Sequence, residues 1–238
     1  MEGIIDIREL SFSWRKHAPV DLALNALRVE KGERVFIEGP SGSGKSTLLS
    51  LLAGVTVPQS GELHVLGKRL DRFDNAQRDR FRADHIGYIF QLFNLIPYLS
   101  MVENVVLACQ FSTIRRNKAR QRSGTLAREA LRLLEHLGMA QNDLLHRPVT
   151  MLSVGQQQRV AAARALMGAP ELLIADEPTS SLDADLRETF IRLLFQECAA
   201  AGSTLVFVSH DATLEHLFDR TIRITDINTA SHGSPQKA

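Results

Sequence analysis

The sequence predicts an α/β fold with a mostly parallel core sheet, an N-terminal antiparallel β portion and an inserted α-helical subdomain. Three observations carry that reading. Residues 39–47, GPSGSGKST, follow the apolar run 34–38 and lead into the apolar run 48–53, so strand, glycine-rich turn and helix succeed one another. The segments 171–176 and 204–209 are continuous apolar runs, as strands buried on both faces of a parallel sheet read. Between residues 101 and 138 the pattern turns helical, and over 125–137 Leu126, Ala130, Leu133, Leu134 and Leu137 fall on one face.

The elements follow in order. Residues 4–13 alternate apolar and polar and predict a half-buried strand closed by Trp14 and the polar turn 15–19. A second strand, 20–30, reaches the Lys31-Gly32 turn and the strand at 34–38. Strands in such direct succession are antiparallel, because a parallel crossover needs a dozen or more residues. After the helix opened by Lys45 come a loop at 54–61, a short strand at 62–66, a charged helix at 74–83 and a buried strand at 86–90. The alanine-rich stretch 156–167 predicts a helix stopped by Gly168 and Pro170. Helix at 182–201, strand at 204–209, helix at 211–218 and a short strand at 221–225 complete the chain. We expect one domain over 1–228, with an α/β core at 1–90 and 171–228, a helical subdomain at 91–170, and a small, polar, disordered tail at 229–238.

Composition excludes several classes. Lys+Arg 28 against Asp+Glu 27 leaves a net charge of +1, which gives no global attraction to nucleic acid or anionic lipid. The two cysteines, Cys109 and Cys198, form no C-x-x-C pair, so free thiols in a reducing compartment are expected. The N-terminus lacks the basic and apolar regions of a signal peptide. No apolar run approaches the ~20 residues that span a bilayer.

The 39–47 stretch carries the chemistry. Glycines let several backbone N–H groups curl inward, and the following helix presents its positive end to the same place. Gly39, Pro40, Ser41, Gly42, Ser43, Gly44, Lys45, Ser46 and Thr47 therefore predict a nucleotide phosphate site. Lys45 can bridge the β- and γ-phosphates, and the Ser46 hydroxyl can ligate magnesium. The strand ending at Asp176 delivers a second magnesium ligand to the carboxyl edge of the sheet, where open α/β folds bind ligands. Glu177 can polarise an attacking water, and His210, ending the next strand, can hydrogen-bond the γ-phosphate and orient that water. Gln91 can touch magnesium or water from the join with the helical block. Alone, each of these is an ordinary strand-end residue; beside a phosphate loop the functional reading prevails. In residues 152–161, LSVGQQQRVA, Ser153 can cap a helix starting near Gly155, which makes a second helix-start anion site without a lysine. It could complete the first site in another copy of the chain.

These motifs together resemble the ATP-binding cassette (ABC) ATPase subunits. Residues 39–47 resemble Walker A and 172–177 Walker B. Gln91 looks like the Q-loop residue, and 152–156 is similar to the LSGGQ signature. Ser181, Leu182 and Asp183 resemble the D-loop, and His210 the switch histidine. The order matches over about 4–225. Residues 91–105 are similar to the subgroup serving lipoprotein release, macrolide export and the cell-division complex. Two positions depart from the pattern: Val154 stands where the signature has its first glycine, and Trp14 where an aromatic, usually Tyr, stacks on adenine. Residues 225–228 also lack the Asp-Gly turn common in the family.

The resemblance implies an ATPase using ATP and Mg2+, with catalytic Glu177, His210 and Lys45 and magnesium held by Ser46, Gln91 and Asp176. Nucleotide binding would fall to Trp14, to residues 39–47 with Gln91 and, from a partner copy, to Ser153, Gly155 and Gln156. It implies a head-to-tail homodimer with ATP at the interface, and a transmembrane permease as partner rather than nucleic acid. The subunit would lie at the cytoplasmic face of the membrane, peripheral through that permease. Phe93, Leu95, Ile96, Tyr98 and Leu99 would line the permease groove or, equally, serve as subdomain core. The basic run Arg115, Arg116, Lys118, Arg120 and Arg122 would face lipid headgroups or, on a blander reading, form a solvated helix face. A mechanotransmitting partner that moves no substrate shares every motif. A P-loop kinase is disfavoured by the second anion site, and a soluble DNA-repair or translation ABC protein by the lack of a second cassette.

Overall fold

The computed structural model describes residues 3–15, 18–139, 147–180 and 182–230. Two sheets result. One is antiparallel, in the order β2-β1-β4-β5, from β1 (Gly3–Phe12), β2 (Leu22–Glu30), β4 (Ser60–Val65) and β5 (Lys68–Arg69). The other is parallel, in the order β6-β7-β8-β3-β9, from β3 (Arg34–Glu38), β6 (Ile86–Ile89), β7 (Leu172–Asp176), β8 (Thr204–Ser209) and β9 (Arg220–Arg223). The interior strands β7 and β8 are the continuous apolar runs, and β3, beside β8, brings the glycine-rich turn to the same carboxyl edge.

Strand alternation divides the core in two. Val35, Ile37, Leu172, Ile174, Val206 and Val208 pack with the antiparallel sheet and with α1 (Lys45–Leu52). Their neighbours Phe36, Leu173, Ala175, Leu205 and Phe207 face the helical layer. That layer holds α3 (Met101–Val106), α4 (Thr113–Ser123), α5 (Leu126–His136) and α6 (Val154–Leu166). Helix α7 (Ala184–Ala201) joins the same cluster through Phe190, Ile191 and Leu194. The helical insertion thus has no core of its own; its apolar faces close over one side of the parallel sheet. Helix α2 (Asn75–His85) leads into β6, and its start is satisfied by an Asp74–Gln77 capping box.

Several boundaries differ from the sequence reading. The stretch 101–138 is not one helical run: a 3-10 turn at Leu107–Cys109 and Gly124, at φ 79°, break it into three helices. The expected helix at 211–218 is the 3-10 helix Ala212–Leu217, and the last strand ends at Arg223 before a short helix, α8 (Ile224–Ile227). The tail expected from 229 is held for two residues: Thr229 N donates to Ala23 O at 2.8 Å and Ala230 N to Asn228 Oδ1 at 3.1 Å. Residues 231–238 lie outside the described residues.

The basic run on α4 divides: Arg120 and Arg122 are exposed, as a solvated helix face reads, but Arg115 is not. Arg115 is buried, and its guanidinium donates to Met167 O (2.7 Å), Ala165 O (2.6 Å) and Ile86 O (3.3 Å). Burial pushes its pKa down to about 10. Lys118 pairs with Glu171 at 2.7 Å. These two side chains fasten α4 to the carbonyls that end α6 and to the residue before β7, and Arg115 faces neither solvent nor lipid.

Candidate functional site

The turn between β3 and α1 is shaped by its own backbone. Gly44, the residue before α1, has φ 101° and places no side-chain cap over the helix start. That conformation is natural only to glycine, and it leaves the first amides of α1 open toward the cleft. A Cβ on Gly39 would lie 2.3 Å from Ile224 Cγ2, so the turn sits directly on α8. Ser43 Oγ donates to Pro40 O at 2.8 Å, and Lys45 Nζ donates to Gly39 O at 2.5 Å and Pro40 O at 2.9 Å. Gly39, Pro40 and Ser43 therefore set the shape of the loop. Ser41, Gly42, Gly44, Lys45, Ser46 and Thr47 line the cleft, whose volume is about 990 Å³.

The opposite wall is Gln91, Asp176, Glu177 and His210. Parallel pairing sets Asp176 beside Val208 and Glu38 beside Ser209, so three strand ends reach one level. Glu177 is buried, 9% exposed, with φ 47° and its N–H donating to Val208 O at 3.0 Å. A glutamate in the left-handed region costs of order 1–3 kcal/mol and is held only by surrounding structure. Its Oε2 lies 2.8 Å from His210 Nδ1. Burial raises the Asp176 pKa, the neighbouring Glu177 charge adds to that, and Lys45 and a hydrogen bond from Tyr88 oppose it. Burial likewise raises the Tyr88 hydroxyl, which Asp176 accepts. The turn after Gln91 has two residues at positive φ, Phe93 and Asn94, and Arg164 of α6 donates to both carbonyls at 2.6 Å.

Trp14 stands over the loop. It is 56% exposed, its Nε1 donates to Thr47 Oγ1 at 3.2 Å, and its ring meets Phe12 edge-on at 5.0 Å. Asp21 Oδ2 accepts from the Trp14 N–H at 2.8 Å and lines the cleft beside Arg15 and Val20. The sequence reading placed none of these three in the site. It also missed Asn228, which donates to Ser43 O (3.2 Å) and Asp21 O (3.3 Å) and accepts from Ala23 N–H (2.9 Å). Asn228 belongs to no motif, and its place under the loop depends on contacts about 185 to 207 positions apart in sequence.

Ser153, Gly155 and Gln156 do not join the Lys45 cleft. They line a separate hollow of about 230 Å³ with Gly138, Arg159 and Leu182. There Ser153 Oγ accepts from Gln156 N at 3.3 Å and Gln156 Oε1 from Ser153 N at 2.9 Å, a closed capping box at the head of α6. Val154 is 52% exposed beside it. Of the D-loop-like residues, Leu182 and Asp183 precede α7, while Ser181 lies outside the described residues. The apolar hollow on the helical layer, about 440 Å³, is lined by Leu99, Val102, Val106, Leu107 and Leu126. Only Leu99 of the five groove residues expected from sequence belongs to it; Leu95 packs into the core and Tyr98 is exposed.

Residues 24–180 match the family described as ABC transporter. The chain belongs to the ABC transporter family. It is 40% identical over 227 residues to the uncharacterized ABC transporter ATP-binding protein YbbA of Escherichia coli (strain K12), covering 94% of this chain and 96% of that one. It is 36% identical over 202 residues to the lipoprotein-releasing system ATP-binding protein LolD of Bacteroides fragilis (strain YCH46), covering 85% and 89%. Among solved structures, a dimeric post-hydrolysis state of the ATP-binding cassette MJ0796 bound to ADP and Pi superposes with TM-score 0.79 at 32% identity, over 92% of this chain and 93% of that one. As an ABC cassette the chain is an ATPase, and its α/β architecture is the P-loop ABC fold.

Proposed function

We propose that this ABC ATPase couples ATP binding and hydrolysis to movement of a transmembrane permease, in export or in extrusion of a lipoprotein or other lipophilic substrate. The observation that carries the hydrolysis step is the Glu177–His210 pair at 2.8 Å, facing the Lys45 loop across one cleft. Loop amides and Lys45 bind the phosphates, and the exposed Trp14 ring stacks on the base. Glu177 accepts a proton from water as its oxygen attacks the γ-phosphorus; the bond to the β-γ bridging oxygen breaks and ADP leaves. His210 holds Glu177 and the water in line. Ser46, Asp176 and Gln91 offer hydroxyl, carboxylate and amide oxygens, a donor set that suits Mg2+ together with phosphate oxygens. Among the described residues no group of three or more His, Cys, Asp and Glu could hold a metal without such help. Magnesium bound there would neutralise phosphate charge.

The second half of each site would come from Ser153, Gly155 and Gln156 of another copy in a head-to-tail homodimer. The dimeric state of the MJ0796 cassette supports that arrangement. The likeness to LolD, an ATP-binding protein of a lipoprotein-releasing system, and the apolar hollow on the helical layer support a membrane partner. Among the described residues no helix is long and apolar enough to cross a membrane, so attachment at the cytoplasmic face would run through that partner. In Glu177→Gln, hydrolysis should fall at least about 100-fold while an ATP-bound dimer accumulates on gel filtration. Normal turnover in that variant would remove Glu177 from its role.

A further inference from the structure

Leu182 lies between two places that the dimer reading above assigns to different nucleotides, and the inference rests on that reading. Its side chain is buried beneath the head of α6, where a Cβ on Gly155 would stand 3.3 Å from Leu182 Cδ2. Its carbonyl accepts a 2.7 Å hydrogen bond from Arg187 Nε, in the first turn of α7. The same guanidinium donates through Nη1 to Asp211 Oδ2 at 2.5 Å. Asp211 directly follows His210, which meets Glu177. Thr213 fixes the other Asp211 oxygen by two hydrogen bonds, 2.6 Å from Oγ1 and 3.2 Å from N, and the Asp211 N–H donates to Ser209 Oγ at 3.1 Å.

A planar guanidinium with donors in a rigid fork transmits displacement between its acceptors better than a flexible ammonium would. The Arg187 and Asp211 side chains are 30% and 20% exposed. We propose that Arg187 is a positioning residue that couples the two nucleotide sites of the dimer. When a partner's nucleotide settles on the head of α6, Leu182 moves with the helix start. Arg187 then carries that shift to Asp211 and so to the His210–Glu177 pair of its own site. One nucleotide thereby sets the alignment of the catalytic carboxylate against the other.

The test is the ATP dependence of hydrolysis for the wild type, Arg187→Met, Asp211→Asn and the double variant. Coupling predicts a wild-type Hill coefficient approaching the two-site limit of about 2, falling to about 1 in each single variant. The double variant should fall no further, since both changes cut one connection. ADP affinity of the separate chains, read from the fluorescence of Trp14, the sole tryptophan, should stay within about twofold. Asp211→Asn keeps an oxygen for Thr213 and serves if Arg187→Met fails to fold. Variants that lose rate but keep the wild-type Hill coefficient would overturn the coupling. A wild type that dimerises on ATP yet shows a Hill coefficient of 1 would also overturn it, leaving the composite site intact. A Glu177→Gln chain that forms no ATP-dependent dimer would overturn both.

Discussion

The molecule has two glycine-bearing helix starts that look alike in sequence and are built in opposite ways. The head of α1 has no side-chain cap, and its loop is braced from outside by Asn228, Ile224 and the reach of Lys45 to Gly39 and Pro40. The head of α6 closes its own capping box with Ser153 and Gln156. Uncapped amides are costly unless a ligand or water takes them, so α1 is held ready for an anion by the rest of the fold. The α6 start is content by itself and suits a contact that forms and breaks. On the proposed reading, a primary phosphate cradle and a switchable second contact differ in where their hydrogen bonds are satisfied, more than in residue type.

The sharpest break in that comparison is Lys45→Ala. Without the Lys45 ammonium the α1 cradle should lose hydrolysis by at least about 100-fold, with ADP binding weakened in a Trp14 fluorescence titration. If α6 is only a second contact, Ser153→Ala should behave differently. Hydrolysis and ATP-dependent dimerisation should drop by about tenfold, while ADP binding to separate chains is unchanged; the lost cap costs about 1 kcal/mol. Asn228→Ala tests the external bracing. Two carbonyls and two N–H groups lose their partner, and about 2 kcal/mol of lost stability would lower Tm by roughly 4–8 °C, with weaker ADP binding as a consequence.

The smallest effect on nucleotide chemistry should come from Glu171, remote from both helix starts. Burial alone would raise its pKa, yet hydrogen bonds from His85 and Lys118 and the Lys118 charge outweigh burial and hold it at about 2. A carboxyl held below its ordinary value contributes stability above pH 4.5 that is lost as the pH falls toward 2. Glu171→Gln should therefore lower stability at neutral pH by roughly 1–2 kcal/mol, allowing for solvent screening. Thermal melts of the two chains should converge below about pH 3, and ATPase activity at neutral pH should change by less than about twofold.

Much of this was legible in the residues. The strand, glycine turn and helix at 34–53, the apolar runs of β7 and β8, and Asp176, Glu177 and His210 at strand ends all lie where periodicity and motif spacing put them. Other features were not. Arg115 reads as part of a basic helix face, yet its helix turns it inward to carbonyls of α6 and β6. The residues next to Gln91 read equally as a permease groove or as subdomain core; Leu95 packs into the core, while Leu99 lines an apolar hollow with residues further along the chain.

What the sequence determined by itself is local: which segments are helix or strand, where a turn needs glycine, and which side chains can bind phosphate or move a proton. Those properties follow from short-range sterics, periodicity and side-chain chemistry, so a single chain displays them without alignment. Only the tertiary structure decided that Asn228 and Ile224 hold the phosphate loop, that Arg187 links Leu182 to Asp211, and that Ser153 stands apart from Lys45. Each depends on groups distant in sequence meeting across packed layers, and such meetings are set by the summed burial of the whole core rather than by any one stretch.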